Sequence, residues 1–168
     1  MKHFTILFLL GIGLTTFLQA QDTEDQLSNF RNLTGSTWEV DGEWKNGQKL
    51  KQEKVFESSL RGRIIKVKTY GTVNMENGEY GLRNEGIRAY NAEKKQIEFI
   101  EFDVFGGVTV GVIYFKGKDI YYNYAYQGMF LTDQWKYVDD DTYEYKVGVL
   151  EDDEWTQVFH ESRFVRKK

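Results

Sequence analysis

After its first thirty or so residues the chain alternates apolar and polar side chains with period two, in short runs broken by turn-forming residues. The stretch "LTGSTWEVDGEW", residues 33–44, sets the pattern. Trp38, Val40, Gly42 and Trp44 fall on one side, with Glu39, Asp41 and Glu43 on the other. Alternation of this kind makes one face of an extended strand dry and leaves the other in water. Followed along the chain, it predicts ten strands, over 36–45, 49–59, 62–71, 85–91, 95–103, 107–116, 119–126, 131–139, 142–150 and 154–166. Between them stand Asn46-Gly47, Arg61-Gly62, Glu76-Asn77-Gly78, Asn91-Ala92-Glu93-Lys94, Gly106-Gly107, Gly117-Lys118, Asp139-Asp140-Asp141 and Asp152-Asp153, all turn chemistry. Proline is absent, so the usual edge breaker is missing. Ten strands joined by short turns predict an all-β fold, a single up-and-down antiparallel β-barrel that closes to remove its edges. A two-sheet sandwich is the alternative, but nothing in the chain suggests its long crossover.

Residues 1–20 lie outside this pattern. A short basic start, Met1-Lys2-His3, precedes a largely apolar run and a small residue, Ala20, before the polar Gln21-Asp22-Thr23. This is the build of a cleaved signal peptide, which predicts a periplasmic or secreted protein with a barrel domain over 21–168. The apolar run is shorter than the ~20 residues that span a bilayer, so no membrane insertion is expected after cleavage. With no cysteine the chain has no disulfide, no thiol nucleophile and no thiolate metal site. Cleavage removes one lysine and no acid, leaving a formal charge of −5 in place of the full chain's −4. An acidic surface without a basic run gives no electrostatic reason to bind nucleic acid. Lys51, Lys54, Lys66 and Lys68 read as the wet faces of strands.

Just before the first strand, residues 23–33 read as a short helix with Leu27, Phe30 and Leu33 on one stripe, ended by Gly35. The second strand is ambiguous in register. A two-residue turn at Asn46-Gly47 leaves Phe56 on the wet side, unless the loop is longer or the strand turns polar groups inward.

The order of "LTGSTWEVDGEW", "SLRGRIIKV", "GIRAYNAEKKQIEFIEFD", "DQWKYVDDDTYEY" and "ESRFVRK" resembles the calycins, and within them a group of small secreted bacterial barrel proteins. Calycins include the lipocalins, the fatty-acid-binding proteins and the haem-binding nitrobindin-type barrels. The resemblance implies that Trp38 plugs one barrel end against the N-terminal segment, while Trp44 reaches the cavity. It implies a small apolar or amphipathic ligand, such as a lipid or organic acid; with one histidine left after cleavage and no cysteine, no cofactor is expected. Fatty-acid-binding barrels carry an inward arginine on the last strand, and Arg163 matches it within Arg163-Phe164-Val165. Alternation along that strand puts Trp155, Phe159 and Arg163 on one face and His160 on the other. Nitrobindin-type barrels ligate haem iron through a histidine near the C-terminus, a place that His160 shares, so the haem and arginine readings require opposite faces inward.

No catalytic pattern is present. After cleavage His160 is the one histidine, and there is no Gly-x-Ser-x-Gly motif or phosphate-cradling glycine loop, so no enzyme activity is expected. The aromatic row "DIYYNYAYQGMF" places Tyr122, Tyr124 and Tyr126 on one face, and Trp135 and Tyr145 extend it onto neighbouring strands. Such a wall suits an amphipathic ligand, and equally a solid core or an exterior sugar-stacking stripe. The expected binding set is Arg163, Trp44, Tyr122, Tyr124, Trp135, Tyr145, Trp155 and Phe159.

Overall fold

The computed structural model describes residues 26–41 and 51–168. Within them the strands are β1 (Thr37–Asp41), β2 (Glu53–Ser59), β3 (Ile64–Asn74), β4 (Glu79–Asn91), β5 (Gln96–Asp103), β6 (Val108–Lys116), β7 (Asp119–Tyr126), β8 (Met129–Asp139), β9 (Thr142–Glu151) and β10 (Glu154–Arg166). Each pairs antiparallel with its sequence neighbours, and β1 closes the ring on β10 through Trp38↔Arg166 to Asp41↔Arg163. The fold is a closed ten-stranded up-and-down barrel of calycin-like kind, not a sandwich. Trp44 and residues 1–25 lie outside the described residues.

Of the helix expected over 23–33, residues 23–25 lie outside the described residues and Gln26 is helical, but the part from Leu27 on is corrected: it is a turn with one 3-10 stretch, Ser28–Phe30. Leu27, Phe30 and Leu33 are nonetheless all buried in the core. A 3-10 turn has three residues per turn, so residues spaced by three eclipse one another and satisfy the stripe that suggested a longer helix.

This turn closes one barrel end. Phe30 packs edge-on to Phe115, and Asn29 Nδ2 donates to the Gly117 carbonyl at 2.8 Å. Trp38 is fully buried, with its Nε1–H donating to the Leu33 carbonyl at 3.0 Å and the Arg166 guanidinium 4.6 Å from its ring. Above it, Trp135 stacks on Phe164 at 4.5 Å and meets Tyr143 at 5.8 Å, so this half of the barrel is solid.

The β9–β10 hairpin departs from the ring. β8 pairs with β9 no further than Thr132↔Gly148, whereas β9 and β10 continue together to Glu151↔Glu154. The freed tip lies over the outside of the sheet. Asp153 at its turn ion-pairs with Lys116 of β6, and outward-facing Tyr121, Thr132 and Gln134 are buried. Gly148 marks the departure: a Cβ there would lie 2.0 Å from the Gln157 carbonyl oxygen, so only glycine permits the close approach. Two β-bulges, between Trp155 and Gln157 and between Val158 and His160, bend β10 at the same level.

Candidate functional site

Above the solid half the barrel is hollow. A cavity of about 430 Å³ is lined by Phe56, Phe99, Tyr122, Tyr124, Leu131 and Trp135, and by four charged residues, Lys54, Arg88, Glu101 and Asp133. It exceeds the ~300 Å³ at which typical ligand sites begin. It reaches the surface past Tyr126, Met129 and Phe159, which line it and are 50%, 42% and 47% exposed.

The charged residues follow from inward alternation on four strands. On β2, Lys54 shares a face with the buried Phe56. On β4, Arg88 is 3% exposed while its neighbour Ile87 faces out at 40%. Glu101 follows Phe99 inward on β5, and Asp133 stands between Leu131 and Trp135 on β8. The pairing then sets their contacts. Gly86 lies opposite Glu101 and Arg88 opposite Phe99, so the guanidinium reaches Glu101 along a diagonal, Nη2 to Oε2 at 2.6 Å. A Cβ at Gly86 would stand 2.3 Å from the Ile100 carbonyl oxygen and 3.0 Å from Arg88 Nη1, so glycine clears the space for this pair. Asp133 takes hydroxyls from both sides, Tyr124 at 2.7 Å and Tyr145 at 2.6 Å.

Burial and charge then shape these groups. Burial pushes the Asp133 carboxyl up, toward its protonated form, against the two phenols that bond its anion. Burial alone would raise Glu101 as well, but Lys54 and Arg88 outweigh it and hold that carboxyl low. Burial pulls Lys54 down, with Arg88 adding to the effect and Glu101 and Asp133 opposing it. Its ammonium lies 5.9 Å from the ring centres of both Trp135 and Tyr145. Among the described residues no carboxylate comes within 4.0 Å of it. Arg88 spends Nη2 on Glu101, while its buried Nε and Nη1 have no hydrogen-bond acceptor. Thr69, directly across from Lys54 on β3, has an equally unmatched hydroxyl. Of these, the Arg88 N–H groups belong to a cavity-lining residue, and the described residues supply them no acceptor.

Of the expected residues, Tyr122, Tyr124, Trp135 and Phe159 line this cavity, and Tyr145 reaches it through Asp133. Two expectations are overturned. The Arg163 side chain is 55% exposed on the outer face, 4.0 Å from Glu144, and Trp155 is outside as well, with the Lys146 ammonium 5.5 Å from its ring. The two bulges each shift the phase of β10 and so cancel between Trp155 and Arg163, which share one face as alternation predicts. That face is the outer one because His160, Ser162 and Phe164 turn inward, and of the expected trio only Phe159, the extra residue of the second bulge, reaches the cavity. Lys54, read as a wet-face lysine, points inward, and Arg88, Glu101 and Asp133 were not anticipated at all. An outer hollow of about 700 Å³ is lined by Trp155, Arg163 and their neighbours, but its charges are engaged with one another: Lys136 with Glu144 at 3.0 Å and Lys146 with Glu161 at 2.6 Å.

His160 lies on the inward face with Ser162 and the fully buried Phe164, the face that haem ligation requires. Its ring is not part of the cavity lining, however, and its Nε2 is 3.1 Å from Ser162 Oγ. Haem does not fit this arrangement, since among the described residues no histidine lines the cavity. Among the described residues no cluster of three or more histidines and acids is placed to hold a metal ion. Compared with models of known protein families and with curated proteins, the chain matches none.

Proposed function

We propose that this protein is an exported, non-enzymatic carrier of calycin type whose cavity holds one small amphipathic molecule with an acidic head. One observation carries the reading: two cations, Lys54 and Arg88, line a closed-floored cavity in which one carboxylate, Glu101, makes ion-pair contact with Arg88 alone. A buried charge costs several kcal/mol unless it is paired, and the second acid, Asp133, bonds Tyr124 and Tyr145 and makes no ion pair with Lys54 among the described residues. A ligand carboxylate at Lys54 supplies the missing partner, with a charge-assisted bond of the strong class. Tyr122, Tyr124, Leu131 and Phe99 then surround the chain, and its end leaves between Tyr126, Met129 and Phe159. Export rests on the leader-like residues 1–20. Nucleic acid is not a partner in this reading.

The test is displacement of a fluorescent fatty acid by decanoate and by decanol. Decanoate is expected to compete at least tenfold better than decanol in the wild type, matching the ~1.5–3 kcal/mol of a hydrogen bond to a charged group. In Lys54→Met that preference disappears while decanol binding persists. Equal competition by acid and alcohol in the wild type contradicts the acidic head.

A further inference from the structure

We infer that Lys54 also captures carbonyl-ended amphiphiles covalently, as a reversible imine formed inside the cavity; this rests on the cavity being a ligand site. Lys54 differs from the surface lysines in its setting. Lys94, Lys116, Lys136, Lys146 and Lys167 each pair with an acid on the outside of the barrel. Lys54 instead stands in the cavity between the Trp135 and Tyr145 rings, with no carboxylate in ion-pair contact among the described residues. A lysine removed from water and placed near another cation is the arrangement that exposes a nucleophilic amine. Both conditions act on Lys54, through burial and through Arg88, against the opposing charges of Glu101 and Asp133.

The chemistry balances with groups already present. The Lys54 amine attacks the carbonyl carbon, a C–N bond forms, and the carbonyl π pair moves to oxygen, which takes a proton. The carbinolamine then loses that oxygen as water while the nitrogen pair closes the C=N bond and the nitrogen proton departs. Amine and aldehyde become imine and water, with no oxidant or reductant. Asp133, lining the same cavity and held toward its protonated form by burial, is the acid placed to protonate the leaving oxygen. Hydrolysis reverses the same steps, so capture is storage rather than turnover.

Wild-type protein is incubated with decanal, the imine is fixed with cyanoborohydride, and intact mass and peptide mapping are read. The expected result is one decyl group per chain, on Lys54, exceeding modification of any other lysine by about tenfold, and suppressed at Lys54 alone by excess decanoate. Lys54→Arg, which keeps the charge but cannot form the imine, is expected to lose the adduct without a gain on any other lysine. Decyl groups spread over the surface lysines, with decanoate still bound, overturn the imine and leave the carrier reading standing. Absence of both the Lys54 adduct and decanoate binding overturns the two together.

Discussion

Trp38→Ala is expected to cost about 3–5 kcal/mol of stability, the range for truncating a large aromatic side chain in a core. Trp38 has no exposed surface, and it joins three parts of the closed barrel end. It donates to Leu33 of the N-terminal segment, meets Tyr143 of β9 edge-on at 5.2 Å, and carries the Arg166 guanidinium of β10 over its ring. Arg166 in turn donates to the backbone carbonyls of Asn32 at 2.9 Å and Asp140 at 2.6 Å. Losing the indole therefore loosens the segment that caps the barrel, and it opens a void that these neighbours cannot fill. Trp38→Phe keeps most of the volume but leaves the Leu33 carbonyl unmatched, so a cost of about 1–2 kcal/mol is expected. Equilibrium urea unfolding measures both. An alanine variant within about 1 kcal/mol of wild type shows that the cap is dispensable.

Arg88→Ala is expected to be comparably damaging, by about 3–5 kcal/mol, because it strands Glu101 without its partner inside the barrel. Replacing both residues by methionine is expected to be close to neutral, since the penalty comes from the orphaned charge and not from loss of the pair. The sign with pH follows from Glu101. Its carboxyl is held low in the folded wild type, so its stabilisation is present above the carboxylate's ordinary range and lost as pH falls through the folded value. In Arg88→Ala that cation is gone, so protonating Glu101 relieves the variant and the gap to wild type narrows toward acid pH. A gap that widens on acidification contradicts the assigned pairing.

The fold was largely legible in the sequence because alternation and turn residues act locally. The β7 row of Tyr122, Tyr124 and Tyr126 faces inward as the period predicts, and the Asp152-Asp153 turn joins β9 to β10 where expected. The site was half legible. Its aromatic walls follow the period, but its polar floor breaks the rule that apolar faces turn in. In "GIRAY" and "QIEFIEFD" the outward residues Ile87, Ile100 and Phe102 are apolar while inward Arg88 and Glu101 are charged. A strand that is apolar on both sides through part of its length was the available signal for an inward polar group. Phe56 gave the same warning about Lys54, since burying one means burying the other. Arg163 was misplaced for a different reason. Alternation says which residues share a face, not which face turns in, and Phe159, which suggested that the Arg163 face was the inner one, reaches the cavity only through a bulge that leaves no mark in composition.

The central claim is that the cavity takes an amphipathic acid head-first. A crystal structure of the wild-type protein soaked with decanoate tests it most directly. The expected density is one molecule in the barrel, its carboxylate in contact with the Lys54 ammonium and the Arg88 guanidinium, its alkyl chain running past Tyr124 to end between Tyr126, Met129 and Phe159. An empty barrel, or decanoate bound only in the outer hollow beside Trp155 and Arg163, contradicts it.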